Sequence, residues 1–440
     1  MDGSRRRDGR AECVGRGLTT LVLVVCLAGV VRAQDDPVRE SRRYVQQALE
    51  AYKAKDYAAY LERMRRAQAL RPGHPSLMYN LAGAYALVGN RGVARAWLAR
   101  VAAMGLVYQP EKDSDFDAFK ETAEFKALLT KFAANGAHVG RSAPAFTLAE
   151  KGLVTEGLAY DPVTATFYVG SIYRRKIVSV DARGAAKDFA DERAGLWSVL
   201  GMKVDARRRR LWVTSSAQPQ MAGFKEEENG RAAVCKFDLR TGRLLKTYTL
   251  PNAPARHALG DLAVNSRGDV FVTDSLQPAV YVIEHGEDKL KPFVEGAPFV
   301  SPQGLDFAPG ERRLFVADYA RGVYLLDLES RRATLLPAPP DAALLGIDGL
   351  YFYRGRLVGV QNGTNPQRVV QLFLGRALAR VERLAVVEAN NPLFDEPTLG
   401  VLVGGQFYYH ANSQWGAVSN KGELAAPDKL RPHVVMKVRL

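Results

Sequence analysis

Apolar positions along this chain repeat with two different periods, and the change falls close to residue 135. From Pro37 to Phe132 they return every three or four residues. Met78, Leu81, Ala82 and Tyr85 make one stripe and Ala94, Leu98 and Val101 another, separated by Gly89-Asn90. This spacing predicts two helices folded back on each other, with small residues where the backbones approach. Tyr52, Tyr57, Met64, Ala67 and Pro72 fall at matching offsets upstream, and residues 113–135 carry a weaker helical pattern suited to capping the stack.

After "NGAHVGRSAPAF" the period drops to two, and one unit recurs to the C-terminus. Copies open at Gly157, Gly201, Asp261, Gly304, Gly349 and Pro397. Each has a short strand, a turn, a stronger strand such as "RLWVTSS" or "RLFVADY", a bulky apolar third strand and a weaker fourth. Four-strand units of roughly 40–50 residues are propeller blades. The pattern therefore predicts an all-β six-bladed β-propeller behind an N-terminal all-α domain of helical hairpins. The sixth copy runs out of chain after its third strand, "HVVMKVRL", so "APAFTLAE" at 143–150 is expected to supply the missing outer strand and close the ring. A ring of seven would need a further copy. The divisions are 34–134 for the helical domain, 135–142 for a linker and 143–440 for the propeller.

The helical half looks like a tetratricopeptide repeat, with about two repeats and a cap. A free-standing stack needs about three or more. The domain is thus expected to lean on its neighbour, or on a protein or peptide partner held in its concave face. A plain helical hairpin domain without a ligand is the competing reading.

In a propeller the innermost strand of each blade lines the central channel, and the residue just before it projects into one mouth. In the six copies that residue is Glu156, Leu200, Gly260, Gln303, Asp348 and Glu396, with Asp261 adjacent in the third. Crowded carboxylates share protons or surround a cation, and hard divalent ions take these oxygen donors. Capping of each blade's own backbone by its own acid is the alternative. His257 in "PARHALGD" lies just before the third inner strand, within reach of the same mouth. His410 on the sixth blade's second strand reads as structural. Asn362 and Asn412 follow second strands, where turns favour Asn. The chain has no HExxH, CxxC, GxSxG, P-loop or helix-opening GxGxxG motif, which sets aside zinc proteolysis and nucleotide hydrolysis.

The blade spacing, the "EG" that opens the first blade and the "DG" that opens the fifth resemble the SMP-30/gluconolactonase/LRE-like family of six-bladed propellers, over residues 143–440. The resemblance implies one divalent cation, Ca²⁺ in the first place, at the channel mouth. It also implies hydrolysis of a small-molecule lactone or ester. In that family a Glu, two Asn and an Asp hold the ion. Glu156 and Asp348 match the acids. Gln303 stands in place of one Asn, and Gly260 in place of the other, beside Asp261. The implied metal ligands are Glu156, Asp261, Gln303 and Asp348, and the implied base is Asp348, with His257 as a second candidate. Two other readings remain open. One is a non-catalytic scaffold of the cell envelope that uses both domains for protein–protein interaction. The other is a lyase or strictosidine-synthase-like activity on the same fold.

Composition changes the picture in three places. Arg5, Arg6, Arg7, Arg10 and Arg16 precede an apolar run from Leu18 to Val31, and Val31-Arg32-Ala33 suits a signal peptidase. Residues 1–33 therefore read as a signal peptide, and the protein as exported, periplasmic or secreted, with no stable membrane span once the leader is cleaved. An uncleaved anchor is the competing reading. Of Cys13, Cys26 and Cys235, only Cys235 lies beyond this segment, so no internal disulfide forms in the mature chain. The net charge is +14. Its densest run, Arg207 to Arg210, reads as a solvated hairpin tip, and without interleaved aromatics it does not suggest a nucleic-acid surface.

Overall fold

The computed structural model describes residues 36–251, 254–296 and 298–440, so the expected signal peptide lies outside the described residues. Five α-helices come first: α1 (Pro37–Lys53), α2 (Tyr57–Leu70), α3 (Pro75–Leu87), α4 (Arg91–Ala103) and α5 (Ala123–Asn135). Their starts follow the chemistry of free N–H groups. The side chains of Asp36, Asp56, Asn90 and Thr122 accept from the first turns of α1, α2, α4 and α5, and Pro37 and Pro75 open α1 and α3. The two stripes read from the sequence meet, because Met78, Ala82, Ala94, Leu98 and Val101 share one core with Phe116, Phe125 and Phe132.

Six four-stranded antiparallel sheets follow, blades one to six. Their inner strands are Thr155–Asp161, Ser198–Asp205, Leu259–Val264, Pro302–Phe307, Leu350–Tyr353 and Gly400–Val403. In the sixth sheet Ala143–Leu148 lies outermost against His433–Arg439, with Phe146 opposite Val435 and Leu148 opposite His433. The two ends of the propeller are thus hydrogen-bonded to each other, and the sheet has no free edge there.

Cores form where neighbouring sheets stack. Ala159, Tyr168 and Ile177 of blade one pack with Met202, Leu211, Val213, Cys235 and Phe237 of blade two. Burial raises the Cys235 thiol to about 12, so it packs as a small apolar side chain and is unreactive. On the channel side the inner strands touch. A Cβ on Gly157 would lie 2.1 Å from the Leu200 carbonyl oxygen, and one on Gly304 would lie 2.4 Å from that of Asp348. Only glycine allows that approach.

The arginine run does form a hairpin tip, but beyond the exposed Arg207 its guanidinium groups are paired, not free. Arg208 bonds Asp205, Arg210 bonds Asp238, and Arg209 grips both oxygens of the fully buried Asp161 at 2.6 Å each. Twist brings the tip of blade two over blade one, and so turns a basic sequence run into an inter-blade staple.

The helical domain rests on the propeller at blades four and five. Ala343, in the segment that leads into blade five, belongs to the helical core. Arg71 donates to the Ala320 carbonyl at 2.8 Å, and Arg321 pairs with Asp36. Residues 135–142 are not a free linker. Val139 pairs with Ala389, and the buried Glu388 accepts from His138 and from the backbone N–H groups of Arg141 and Ser142.

Candidate acidic site at the channel mouth

Three of the six mouth residues, Gly260, Gln303 and Asp348, are placed by a contact that crosses from one blade to the next. Thr214 of blade two donates to the Gly260 carbonyl at 2.8 Å, and Thr273 of blade three donates to that of Gln303 at 2.7 Å. The Gly304 N–H donates to the Asp348 carbonyl at 2.7 Å, and the Tyr351 hydroxyl donates to no acid but accepts from Gly400 N–H at 2.7 Å. His410 of blade six lies 3.0 Å from the Gly157 carbonyl of blade one, across the closure of the ring. Alternation in the inner strands explains the placement: where blades one, two, four and five carry Gly157, Gly201, Gly304 and Gly349, blade three carries Asp261. Asp261 is therefore the side chain that enters the crowded ring.

The acids weigh most on Glu156 and Asp348. Burial holds the Glu156 carboxyl well above its usual range, and Asp348, Glu396 and Asp261 push it further. Burial raises Asp348 to about 7 against the hydrogen bond from Asn362, with Glu396 and Asp261 adding to the rise. Glu396 is lifted to about 7, by burial and then by Asp395. Asp261 rises to about 6 through burial, opposed by Lys203. Asp261 does cap its own blade, accepting from the Leu262 N–H at 2.8 Å, but Glu156 and Asp348 take side-chain donors instead. Glu156 accepts from Trp415 Nε1 at 2.8 Å, and Asp348 accepts from Asn362 Nδ2 at 2.9 Å. Asn362 in turn accepts from the Tyr319 hydroxyl at 3.0 Å. Glu396 sits at φ 62°, a left-handed backbone that a non-glycine residue holds only under constraint.

Gln303 occupies the space that Gly260 leaves. Its Oε1 would stand 3.3 Å from a Cβ at position 260, while its Nε2 donates to Ser301. Beside the acids, Val154, Ile172 and Leu200 form an apolar wall with Tyr173 and Trp415.

His257 is held away from this chemistry. It is buried, with Nδ1 2.6 Å from Asp274 and Nε2 3.0 Å from the Pro251 carbonyl, so both ring nitrogens are engaged. Asp274 also accepts from Ala258, Leu276 and Gln277, as Asp318 accepts from Val300, Ser301, Ala320 and Arg321 one blade on. The pair locks a loop, and no nitrogen of His257 is free to act as a base. His410 is fully buried against His433, and Asn412 fastens Val434 and Pro432 in the same blade. Sequence reasoning did not assign Trp415 or Tyr319, whose positions follow second strands in blades six and four.

The donors suit a hard cation: all are oxygen, and buried Asp261 Oδ2 has no partner among the described residues. The arrangement is open. Among the described residues no three His, Cys, Asp or Glu side chains are set around a common ion position. A cation here would be completed by water or by oxygen atoms of a ligand.

Fold and site together define a six-bladed propeller with an acidic, partly apolar-walled mouth. The family model of the major royal jelly proteins matches residues 197–304, from the start of blade two to the start of blade four. No curated protein sequence matches the chain. Among solved structures, a gluconolactonase from Xanthomonas campestris is similar at 16% identity over 69% of this chain and 92% of its own, with a TM-score of 0.47. A luciferin-regenerating enzyme is similar at 14% identity over 68% and 96%, with a TM-score of 0.47. A calcium-binding protein, regucalcin, from Agrobacterium tumefaciens is similar at 12% identity over 67% and 95%, with a TM-score of 0.45. Likenesses of this size concern the chain trace and carry nothing about the reaction.

Proposed function

We propose that the channel mouth takes a divalent cation, Ca²⁺ in the first place, and hydrolyses a small lactone or ester, in a protein exported to the periplasm or beyond. The observation that carries this reading is the set of buried acids from blades one, three, five and six, of which Asp348, Glu396 and Asp261 weigh on Glu156, together with an Asp261 oxygen unpartnered among the described residues. Glu156, Asp348, Asp261 and the Gln303 amide oxygen are the donors offered to the ion, and because no three of the acids among the described residues are set around one position, water or ligand oxygens would complete its shell. A bound cation supplies polarisation of an ester carbonyl and stabilisation of the developing oxyanion. The chain's own residues do the rest. Asp348, oriented by Asn362, is the group placed to take a proton from water. Tyr173 and Trp415, the half-buried members of the apolar wall, receive the carbon skeleton, with Val154, Ile172 and Leu200 buried behind them.

Metal analysis of the purified protein, with melting followed against Ca²⁺, Mg²⁺, Mn²⁺ and Zn²⁺, tests this. At least one ion is expected to raise the melting temperature, and Glu156→Gln with Asp348→Asn to abolish the rise. A panel of γ- and δ-lactones assayed by acid release then tests turnover. If no ion stabilises the protein, the hydrolase reading is wrong. The absence of a side chain at Gly260 favours a second reading, a non-catalytic envelope scaffold with a protein or peptide partner on the helical domain. A pull-down with the full mature chain that recovers one specific partner would support it.

A further inference from the structure

One short loop joins the helical domain to the acidic mouth. It connects the second and third strands of blade five, Arg356–Gln361 and Arg368–Leu374. On its outer side it is tied to the helical domain. Val107 N–H donates to the Asn365 carbonyl at 2.7 Å, and Asn365 Nδ2 donates back to the Val107 carbonyl at 3.4 Å. Arg368, fully buried, donates to the Met104 carbonyl at 2.8 Å and the Gly105 carbonyl at 3.4 Å, just past the end of α4. Its Nε holds Gln361 at 2.7 Å, and Gln361 Nε2 donates to the Ala343 and Leu345 carbonyls.

On its inner side the same loop reaches two mouth residues. Asn362 donates to Asp348 Oδ2 at 2.9 Å, and Gln367 Oε1 accepts the Glu396 N–H at 3.2 Å. Among the described residues Arg368 has no carboxylate partner, and its Nη2 is buried without an acceptor. A buried cation placed on the last carbonyls of a helix is favoured by the helix dipole and strongly constrained in position. The loop is thus pinned by the helical domain at Asn365 and Arg368, and it sets the side chain of Asp348 and the backbone of Glu396 between those pins.

We propose that the helical domain is a working part of the mouth: through Arg368 and Asn365 it holds the loop whose Asn362 and Gln367 position Asp348 and Glu396. Asn362 and Gln367 are positioning residues, and Arg368 and Asn365 are the anchors that make them so. This rests on the mouth as the functional site, and it assigns the helical domain a role within that site, without any external partner.

The test uses the full chain with Arg368→Met, the milder Asn365→Ala and the direct Asn362→Leu. Amide hydrogen exchange is the first readout, because it needs no ligand. In Arg368→Met, exchange at Glu396 N–H and through residues 346–363 is expected to rise at least tenfold, while the inner strands of blades one to three stay unchanged. Asn365→Ala is expected to give a smaller rise in the same places, which covers the case in which Arg368→Met does not fold. Unchanged exchange at Glu396 and residues 346–363 in a folded anchor variant overturns the proposal.

The second readout is luminescence of Tb³⁺, a hard-cation probe sensitised by Trp415, whose indole touches Glu156. Apparent Tb³⁺ affinity is expected to fall at least fivefold in Asn362→Leu and in Arg368→Met, with partial recovery in Arg368→Lys. Loss in Asn362→Leu but not in either anchor variant also overturns the helical domain's role. A wild type that shows no Tb³⁺ signal and no ion-dependent melting overturns the cation reading alone, and hydrogen exchange still decides this one.

Discussion

The indole N–H of Trp415 in blade six donates to Oε2 of Glu156 at the opening of blade one, at 2.8 Å. The two residues are 259 positions apart and meet only because the ring closes. The bond gives a buried carboxyl a single neutral donor while its acidic neighbours oppose its charge. Trp415→Phe keeps the apolar wall and removes the donor. It is expected to cost about 1–3 kcal/mol at pH 8, the range for leaving a buried acceptor unsatisfied. Urea denaturation would check this.

The mouth acids make stability fall as pH rises. Asp348 goes from 3.8 to about 7 and Glu396 from 4.5 to about 7 on folding. A carboxyl raised on folding contributes stability that is present below its unfolded value and is lost as pH climbs through its folded one. The loss therefore falls between about pH 4 and pH 7. Without divalent ions, Asp348→Asn is expected to match the wild type near pH 4 and exceed it at pH 8 by on the order of 2–4 kcal/mol. Denaturation curves in chelator across this range would show it, and added Ca²⁺ should narrow the gap.

The histidine pair of blade six acts in the opposite direction. Burial lowers His410 to about 4 and holds His433 well below its usual value. A base depressed on folding gives stability that is full above its unfolded value of 6.5 and is lost as pH falls towards about 4. His433→Gln is thus expected to lower stability at pH 7.5 and to lose less on acidification than the wild type. The measurement is the difference between the two denaturation free energies at pH 7.5 and 4.5; a difference that does not narrow counts against it.

The Arg209–Asp161 staple should carry stability that salt does not remove. Asp161 is fully buried and Arg209 nearly so. Arg209→Ala leaves a buried carboxylate without its partner, at an expected cost of about 3 kcal/mol. The same loss should appear in 0.1 M and 1 M salt, whereas an exposed pair would be screened. Guanidinium would mask the comparison, so urea is the denaturant to use.

Much of this was readable along the chain. Period-two copies spaced by glycine-opened strands specify blades, because a strand packed on both faces needs apolar residues and a crowded channel needs glycine. The acids at 156, 348 and 396 stand out because a polar residue directly before a buried strand has few other uses. The role of His257 was not readable, since its neighbour Asp274 lies 17 residues on and meets it only across a loop. The linker reading missed Glu388 for the same reason: its partners His138, Arg141 and Ser142 lie about 250 residues away, at the other end of the propeller.

Local pattern alone determined the helical and strand halves, the number of blades and the acidic residues at their tips, because periodicity and turn chemistry act over a few neighbouring residues. Tertiary structure decided which acid feels which, how Gln303 fills the space beside Gly260, and that the helical domain grips the loop behind Asp348. Those outcomes depend on which distant segments the closed ring and the docked helices bring within hydrogen-bond reach, and no short-range pattern encodes a distance across an axis.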